Sequence, residues 1–340
     1  MNDYFCVLPF YSVDVAHNYN KNIYCCRLPE KTNIDNVRQS ILSQQRSTAC
    51  STCWKLEDQG LNSERQLHNS AFDFYLDRDI EKIEQDVVDG LYSSQIIKLS
   101  TSNLCNGTCV TCGSALSSAW ASLENKKINY NKISQSEIEK INWKDIKQLS
   151  FIGGEPLLEK LNFEILTKLI QLKNTECFIS IVTNGSCELT PAQFEILSQF
   201  KNTNLCLSID GIGPVFEYMR FPLKWNVLLE NIEKFKTISK HLSVSYTLSN
   251  VNIMYYQETV DWFNSQDLQF YHNLVTFPEH YNINSLPEFV KSDPAIAQFF
   301  REHKPSDDML FQKAIADLER QDKLKNINCR NFVSKFTDLF

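Results

Sequence analysis

From Gln95 onward, short β-branched runs alternate along the chain with helix-length amphipathic segments, the pattern of strand, helix, strand units that build a parallel sheet. Six strands are expected: Ile96 to Ser100, Gln148 to Ile152, Cys177 to Val182, Leu205 to Ile209, Leu242 to Leu248 and Gln269 to Phe277. The clearest helical stretch between them is Leu157 to Leu172, where Leu157, Leu158, Leu161, Phe163, Ile165, Leu166, Leu169 and Ile170 form one apolar stripe behind Pro156. Pro191 opens a second helix to about Phe200, and Lys224 to Ile238 reads as a third. Six such units make an α/β fold, a partial (β/α)6 barrel, over residues 91–278. Residues 1–90 lack sustained periodicity and read as a small cysteine-rich lobe that metal could staple. Residues 279–340 turn polar, then helical from about Pro294 to Lys323, and read as a C-terminal helical layer in which Phe299, Phe300, Phe311 and Phe332 pack.

Composition narrows the classes. With 34 Lys and Arg against 41 Asp and Glu in 340 residues, the net charge is −7, which argues against a basic nucleic-acid arm and against a polybasic membrane anchor. The apolar fraction of 43% is ordinary, and no apolar run approaches the roughly 18 residues needed to span a bilayer. Met1 to Pro9 lacks the charged and apolar regions of a secretory signal, so a reducing, cytoplasmic setting is expected. In such a setting the twelve cysteines, at 6, 25, 26, 50, 53, 105, 109, 112, 177, 187, 206 and 329, point to metal or chemistry rather than to disulfides.

The densest chemistry lies directly after the first expected strand, in Cys105-Asn106-Gly107-Thr108-Cys109-Val110-Thr111-Cys112. A C-x3-C-x2-C run supplies three thiolates, enough to fill three corners of an iron-sulfur cubane and leave the fourth iron open. A structural zinc site would want four ligands, usually from two C-x2-C pairs. The second strand runs into Gly153-Gly154-Glu155-Pro156, where paired glycines admit close backbone approach and Glu155 can accept from an ammonium. The third ends at Thr183-Asn184-Gly185, and the fourth at Ser208-Ile209-Asp210, whose two polar side chains share a face.

On these residues the chain resembles the radical S-adenosylmethionine superfamily. The resemblance implies that Cys105, Cys109 and Cys112 hold a catalytic four-iron four-sulfur cluster, and that S-adenosylmethionine is cleaved there to a 5′-deoxyadenosyl radical that abstracts a hydrogen atom. By the same resemblance Gly153, Gly154 and Glu155 match the element that binds the cosubstrate's amino group, and Asn184 lies in a matching Thr-Asn-Gly element. Ser208 would contact its carboxylate or ribose, with Asp210 a ribose partner or a cap. Arg220 is placed like an arginine that pairs with the carboxylate, and Asn252 like an adenosine partner. The chain departs from the family in having Thr111 where an aromatic residue often precedes the last cysteine, which leaves backbone contacts at that position.

Cys50-Ser51-Thr52-Cys53, with Cys6 and the Cys25-Cys26 doublet upstream, resembles a twitch or SPASM auxiliary-cluster domain displaced to the N-terminus. The expected ligands of a second four-iron cluster are Cys6, Cys25, Cys50 and Cys53, with Cys26 or Cys329 as substitutes; zinc remains the alternative. Cys177 and Cys206 read as small core residues and Cys187 as a loop bystander. The histidines at 17, 68, 241, 272, 280 and 303 form no pair at ligand spacing, although His272 in the last strand could face the barrel interior. Relatives with auxiliary clusters modify ribosomally made peptides, which implies a peptide substrate and a flavodoxin- or ferredoxin-type electron donor, with no nucleic-acid or membrane partner. A small-molecule or sugar substrate, and a non-catalytic metal-binding partner protein, are the competing readings.

Overall fold

The computed structural model describes residues 3–16, 24–25, 28–29, 31–58, 63, 65–66, 68–70, 79–127, 133–300 and 306–340. Seven strands form one sheet: β1 (Ser12–Ala16), β2 (Ile96–Ser100), β3 (Gln148–Ile152), β4 (Phe178–Thr183), β5 (Thr203–Ser208), β6 (His241–Leu248) and β7 (Gln269–Leu274). They lie in sequence order and every neighbouring pair is parallel. This is the α/β, partial-barrel architecture expected of the chain, with one strand more than the alternation indicates. The extra strand, β1, crosses the boundary expected at residue 90 and pairs Ser12 to Ala16 with Ile96 to Ser100. Its five residues carry only Val13 and Val15 as an apolar pair, too little periodicity to declare a strand without β2 beside it.

Alternation along the strands separates two faces. Ile97, Leu99, Leu149, Phe151, Ile179, Ile181, Leu205, Leu207, Val244 and Tyr246 are 0–2% exposed and belong to the main apolar core. The opposite face aligns Asp14, Lys98, Ser150, Ser180 and Asn204 across five strands. Above them Ser208, Ser245 and Tyr271 align across β5, β6 and β7. A parallel sheet covered on both faces would read as unbroken hydrophobic runs. Here one face is covered and the other is a half-exposed polar surface, which is why the strands alternate.

The expected helix from Leu157 divides in two, because two carboxylates cap in succession. Glu155 accepts from Leu157 N–H at the start of a 3-10 turn, Pro156–Leu158, and Glu159 accepts from Leu161 N–H at the start of the helix Lys160–Gln171. Past β7 the chain forms a 3-10 turn, Ala297–Phe300, and the long helix Asp308–Lys325. That helix buries Phe311, Ala314, Ile315 and Leu318, then the polar Gln321, Asp322 and Lys325 on the same stripe. Phe332 stacks on Tyr218 with centroids 5.8 Å apart, Phe311 meets Phe336 at 5.8 Å, and Phe299 meets His272 at 5.1 Å. His272 therefore lies on the helix-covered face, in register with the buried Tyr246, and not in the barrel interior.

A second apolar cluster sits at the N-terminal side: Phe5, Val7, Leu8, Phe10 and Tyr11 pack with Val37, Ile41, Ile83, Val87 and Ile96. Among the described residues no helix is long and apolar enough to cross a membrane.

The two-faced sheet separates substitutions by face. Phe151→Ala should cost about 3–5 kcal/mol of folding stability, whereas Ser180→Ala on the polar face should stay within about 0.5 kcal/mol. Urea denaturation midpoints of the two variants check this.

Candidate functional site

The loop that leaves β2 at the C-terminal edge of the sheet carries Cys105, Cys109 and Cys112, and backbone contacts hold it from every side. Gly154 N–H donates to Ser102 O at 3.1 Å and Glu155 N–H to Leu104 O at 2.7 Å. Thr108 N–H donates to Phe221 O at 2.6 Å and Val110 N–H to Met219 O at 2.9 Å. The helix Ser118–Leu123 begins against the same loop, its N-cap Ser117 donating to Gly107 O at 2.8 Å. Ser118 Oγ accepts from Cys105 N–H and donates to Cys105 O, at 3.0 and 3.1 Å, and Trp120 Nε1–H reaches Cys109 O at 2.9 Å.

Two glycines make the close approach possible. A Cβ on Gly154 would overlap the Leu104 carbonyl and lie 2.8 Å from the Asn103 carbonyl carbon. Gly153 has φ +117°, and a Cβ there would lie 2.8 Å from both Ser100 Oγ and Ser102 O.

The three thiols are half-buried. Burial pushes Cys105 up to about 11 and Cys112 up to about 12, and raises Cys109 as well. The thiols also raise one another, while the Arg220 guanidinium beside Cys109 and Cys112 works in the opposite direction. An apolar setting that resists three separate thiolates favours a ligand that shares their charge. Gly107 sits between two of them: its N–H points at Cys105 Sγ at 3.4 Å, and a Cβ there would lie 3.5 Å from Cys109 Sγ and 3.9 Å from Cys105 Sγ. Among the described residues no three His, Cys, Asp or Glu side chains converge to hold one metal ion. A single zinc needs its thiolates within about 2.3 Å of one point, whereas a cubane gives each thiolate its own iron.

Arg220 is the second element of the site. Burial works against its charge, yet Asp210, whose carboxylate is 2.8 Å away, and the thiols hold it protonated. Its Nε–H is buried and has no acceptor among the described residues. Ser208 Oγ, at the end of β5, likewise has no hydrogen-bond partner among the described residues, and its residue is 9% exposed. Thr111 sits half-buried between Val110 and Cys112.

Four other residues expected to touch a cosubstrate instead hold the edge of the sheet together. Glu155 is 1% exposed; its Oε1 accepts from Leu157 N–H at 3.0 Å and Thr183 Oγ1 at 2.7 Å, and its Oε2 from Asn184 N–H at 2.7 Å. Burial raises its pKa, and these donors oppose the rise. The carboxylate is therefore a tie from β3 to β4. Asn184 donates to Asn106 Oδ1 at 2.8 Å and accepts from Ser186, which ties β4 to the cysteine loop. Asp210 accepts from Thr247 N–H at 3.0 Å besides its pair with Arg220, so its carboxylate links β6 to the guanidinium. Asn252, fully buried, donates to Asp210 O and Thr247 O and accepts from Ser249, which fills its amide and removes it as an adenosine partner.

The sequence reading missed the contribution of the C-terminal helix. Gln321 Nε2 donates to Val110 O at 3.0 Å, inside the cysteine loop, and to Tyr281 Oη at 2.9 Å. Lys325 Nζ donates to Gln321 Oε1 at 2.8 Å and lies 4.7 Å from the Trp120 ring centroid. Burial pulls the Lys325 pKa down to about 8, against the influence of Cys109. The available signal was polar residues continuing an apolar stripe: 321, 322 and 325 follow 311, 314, 315 and 318 at helical spacing.

In the N-terminal lobe one concave pocket is lined by Cys6, Cys25, Cys50 and Cys53, with Trp54 and Arg65 among its other walls. These sequence-distant cysteines thus share the lining of one pocket. Cys26 lies outside the described residues, as do His17 and His303. Burial pushes Cys6 up to about 12 and raises Cys50, while Arg65 lowers both. Arg65 is fixed by two bonds to Glu57, at 3.0 and 2.6 Å, and one to Phe5 O at 2.7 Å. Cys329 is no substitute ligand: it is buried in the main core, and its N–H donates to Asp322 at 2.6 Å. Cys177 and Cys187 also belong to that core. Cys206 lies 3.2 Å from Tyr271 Oη.

Residues 99–263 match the sequence model of the Radical SAM superfamily. No curated protein matches the chain. Among solved structures, native anSMEcpe with bound AdoMet is 19% identical at a TM-score of 0.44, over 61% of this chain and 60% of that one. SuiB of Streptococcus suis bound to S-adenosylmethionine is 14% identical at 0.43, over 91% of this chain and 66% of that one. The chain thus spans about 60% of the length of the first and 66% of the second.

The close approach of Gly154 to the loop makes it a sharp probe. Gly154→Ala should keep the far-UV circular dichroism of the parent while exposing Cys105, Cys109 and Cys112, seen as faster maleimide labelling of those three thiols by mass spectrometry.

Proposed function

We propose, from the premise that residues 99–263 of this chain are a Radical SAM superfamily domain, that the protein is a radical enzyme acting on a ribosomally made peptide. The observation that carries this reading is the loop of three half-buried thiols beside a buried arginine whose Nε–H lacks an acceptor. Cys105, Cys109 and Cys112 hold a four-iron four-sulfur cluster in this reading, with one iron free of protein ligands. When bound, the cluster and S-adenosylmethionine supply reductive cleavage of the sulfonium to a 5′-deoxyadenosyl radical that abstracts a hydrogen atom from the substrate.

The chain's own groups do the rest. Arg220 offers its unpaired N–H to negative charge at the mouth of the sheet, and Ser208 Oγ offers a hydrogen bond to a carboxylate or ribose. The backbone of Gly153 and Gly154, beside the cysteine loop, accommodates the amino group, and Thr111 contributes backbone contacts alone. Glu155, Asn184, Asp210 and Asn252 act at one remove, by fixing the segments that carry these groups. The half-exposed polar face of the sheet, with Ser150, Ser180, Asn204 and Ser245, offers hydrogen bonds to the polar groups of a peptide.

The N-terminal pocket holds a second, fully ligated four-iron cluster on Cys6, Cys25, Cys50 and Cys53 in this reading. Gathering these four around one cavity is its support, and Arg65 beside them would offset the negative charge of such a cluster. A flavodoxin- or ferredoxin-type protein supplies the electron.

Anaerobic reconstitution tests the assignment. The parent should hold about eight irons and eight sulfides per chain, and should release 5′-deoxyadenosine from S-adenosylmethionine with dithionite. Replacing Cys105, Cys109 and Cys112 by Ala should remove about four irons and all of the 5′-deoxyadenosine. No iron lost in that variant, or no 5′-deoxyadenosine from the loaded parent, overturns the radical reading in favour of a metal-binding partner protein.

Replacing Cys50 and Cys53 should remove the other four irons, about half of the total. About one zinc lost there instead makes the lobe a structural zinc module.

A further inference from the structure

Two cations are buried against the cysteine loop, and among the described residues only one of them is held in an ion pair. Arg220 is paired with Asp210 at 2.8 Å. Lys325 is 6% exposed, and the groups in contact with it are neutral: Gln321 Oε1 at 2.8 Å, the Trp120 ring at 4.7 Å and the Phe221 ring at 5.9 Å, while the carboxylates of Asp322 and Asp317 act on it from beyond ion-pair distance. The nearby carboxylates are engaged elsewhere. Asp322 accepts from Tyr218 Oη at 2.9 Å and Cys329 N–H at 2.6 Å, and Asp317 accepts from Arg320, Tyr281 and Gln321. Holding an ammonium out of water with neutral partners is costly, so its retention calls for a negative charge close by.

Two of the three side chains around Lys325 also grip the loop. Trp120 donates to Cys109 O and Gln321 to Val110 O, so the ammonium is fixed relative to the Cys109 end of the loop through its own partners. We propose that Lys325 is the electrostatic partner of the loop's iron-sulfur cluster and sets its reduction potential. The inference rests on the reading that Cys105, Cys109 and Cys112 hold that cluster. One-electron reduction adds a negative charge to the cluster. A positive charge held in a poorly screened interior stabilises the reduced form more than the oxidised one, which raises the potential and eases the uptake of the electron. Lys325 lies outside residues 99–263, so this control belongs to the C-terminal helix and not to the superfamily domain. It is a positioning residue, since it touches neither substrate nor iron.

The test is a redox titration of the reconstituted full-length protein, read by electron paramagnetic resonance on the signal that the triple Cys105, Cys109, Cys112 variant lacks. Lys325→Met should move the midpoint potential of that signal to more negative values with iron per chain unchanged, and Lys325→Arg should restore it. Lys325→Gln keeps a hydrogen-bonding head for Gln321 and gives the same comparison should the methionine variant not fold. A midpoint unchanged in the neutral variants, or shifted equally in Lys325→Arg, overturns the inference and leaves the cluster assignment standing. A parent protein without that signal overturns the cluster reading and this inference together.

Discussion

The mouth of the sheet depends on one close approach: the backbone at Gly153 and Gly154 lies directly against the loop leaving β2. Neither position has room for a Cβ, and the two hydrogen bonds made there, from Gly154 and Glu155 N–H, set where Ser102 and Leu104 sit. Everything that follows along the loop inherits that placement. Glu155 then carries the constraint sideways to Thr183 and Asn184, and Asn184 returns it to Asn106, inside the cysteine run. The result is a closed ring of ties through the ends of β2, β3 and β4. Such a ring holds three thiols in place without relying on the thiols themselves.

Around this ring the charges are arranged with care for burial. Asp210 bonds Arg220 and the backbone of β6, so a carboxylate that could have faced a ligand instead fixes a guanidinium. Lys325 comes from a helix that begins nearly two hundred residues after the loop. Arg220, with its buried Nε–H, and Lys325, with neutral groups in contact with it, place two positive charges beside thiols whose separate ionisation burial opposes. Bound anionic material would relieve both at once.

The two ends of the chain thus serve the sheet in different ways. The N-terminal segment contributes β1 to the sheet edge and, through Phe5, Phe10 and Tyr11, the satellite core beside the pocket that Cys6, Cys25, Cys50 and Cys53 line. The C-terminal helix packs its apolar stripe on the barrel and continues that stripe in polar residues where it meets the loop.

What the sequence alone determined is what local period and local spacing encode. The strand register of β2 and β3, ending at Ser100 and Ile152, follows from their short apolar alternation, and the three cysteines and paired glycines lie just beyond those ends because the motif is continuous in the chain. The tertiary structure alone decided the protein contacts of Glu155, Asp210 and Asn252: a polar side chain at a strand end looks the same in the sequence whatever it meets, and only the fold supplies its partners. It alone decided β1, whose two valines make a strand only against β2, and it alone brought Lys325 to the loop. These are long-range contacts between segments that carry no mark of each other, so their energy belongs to the assembled core and not to any stretch of sequence.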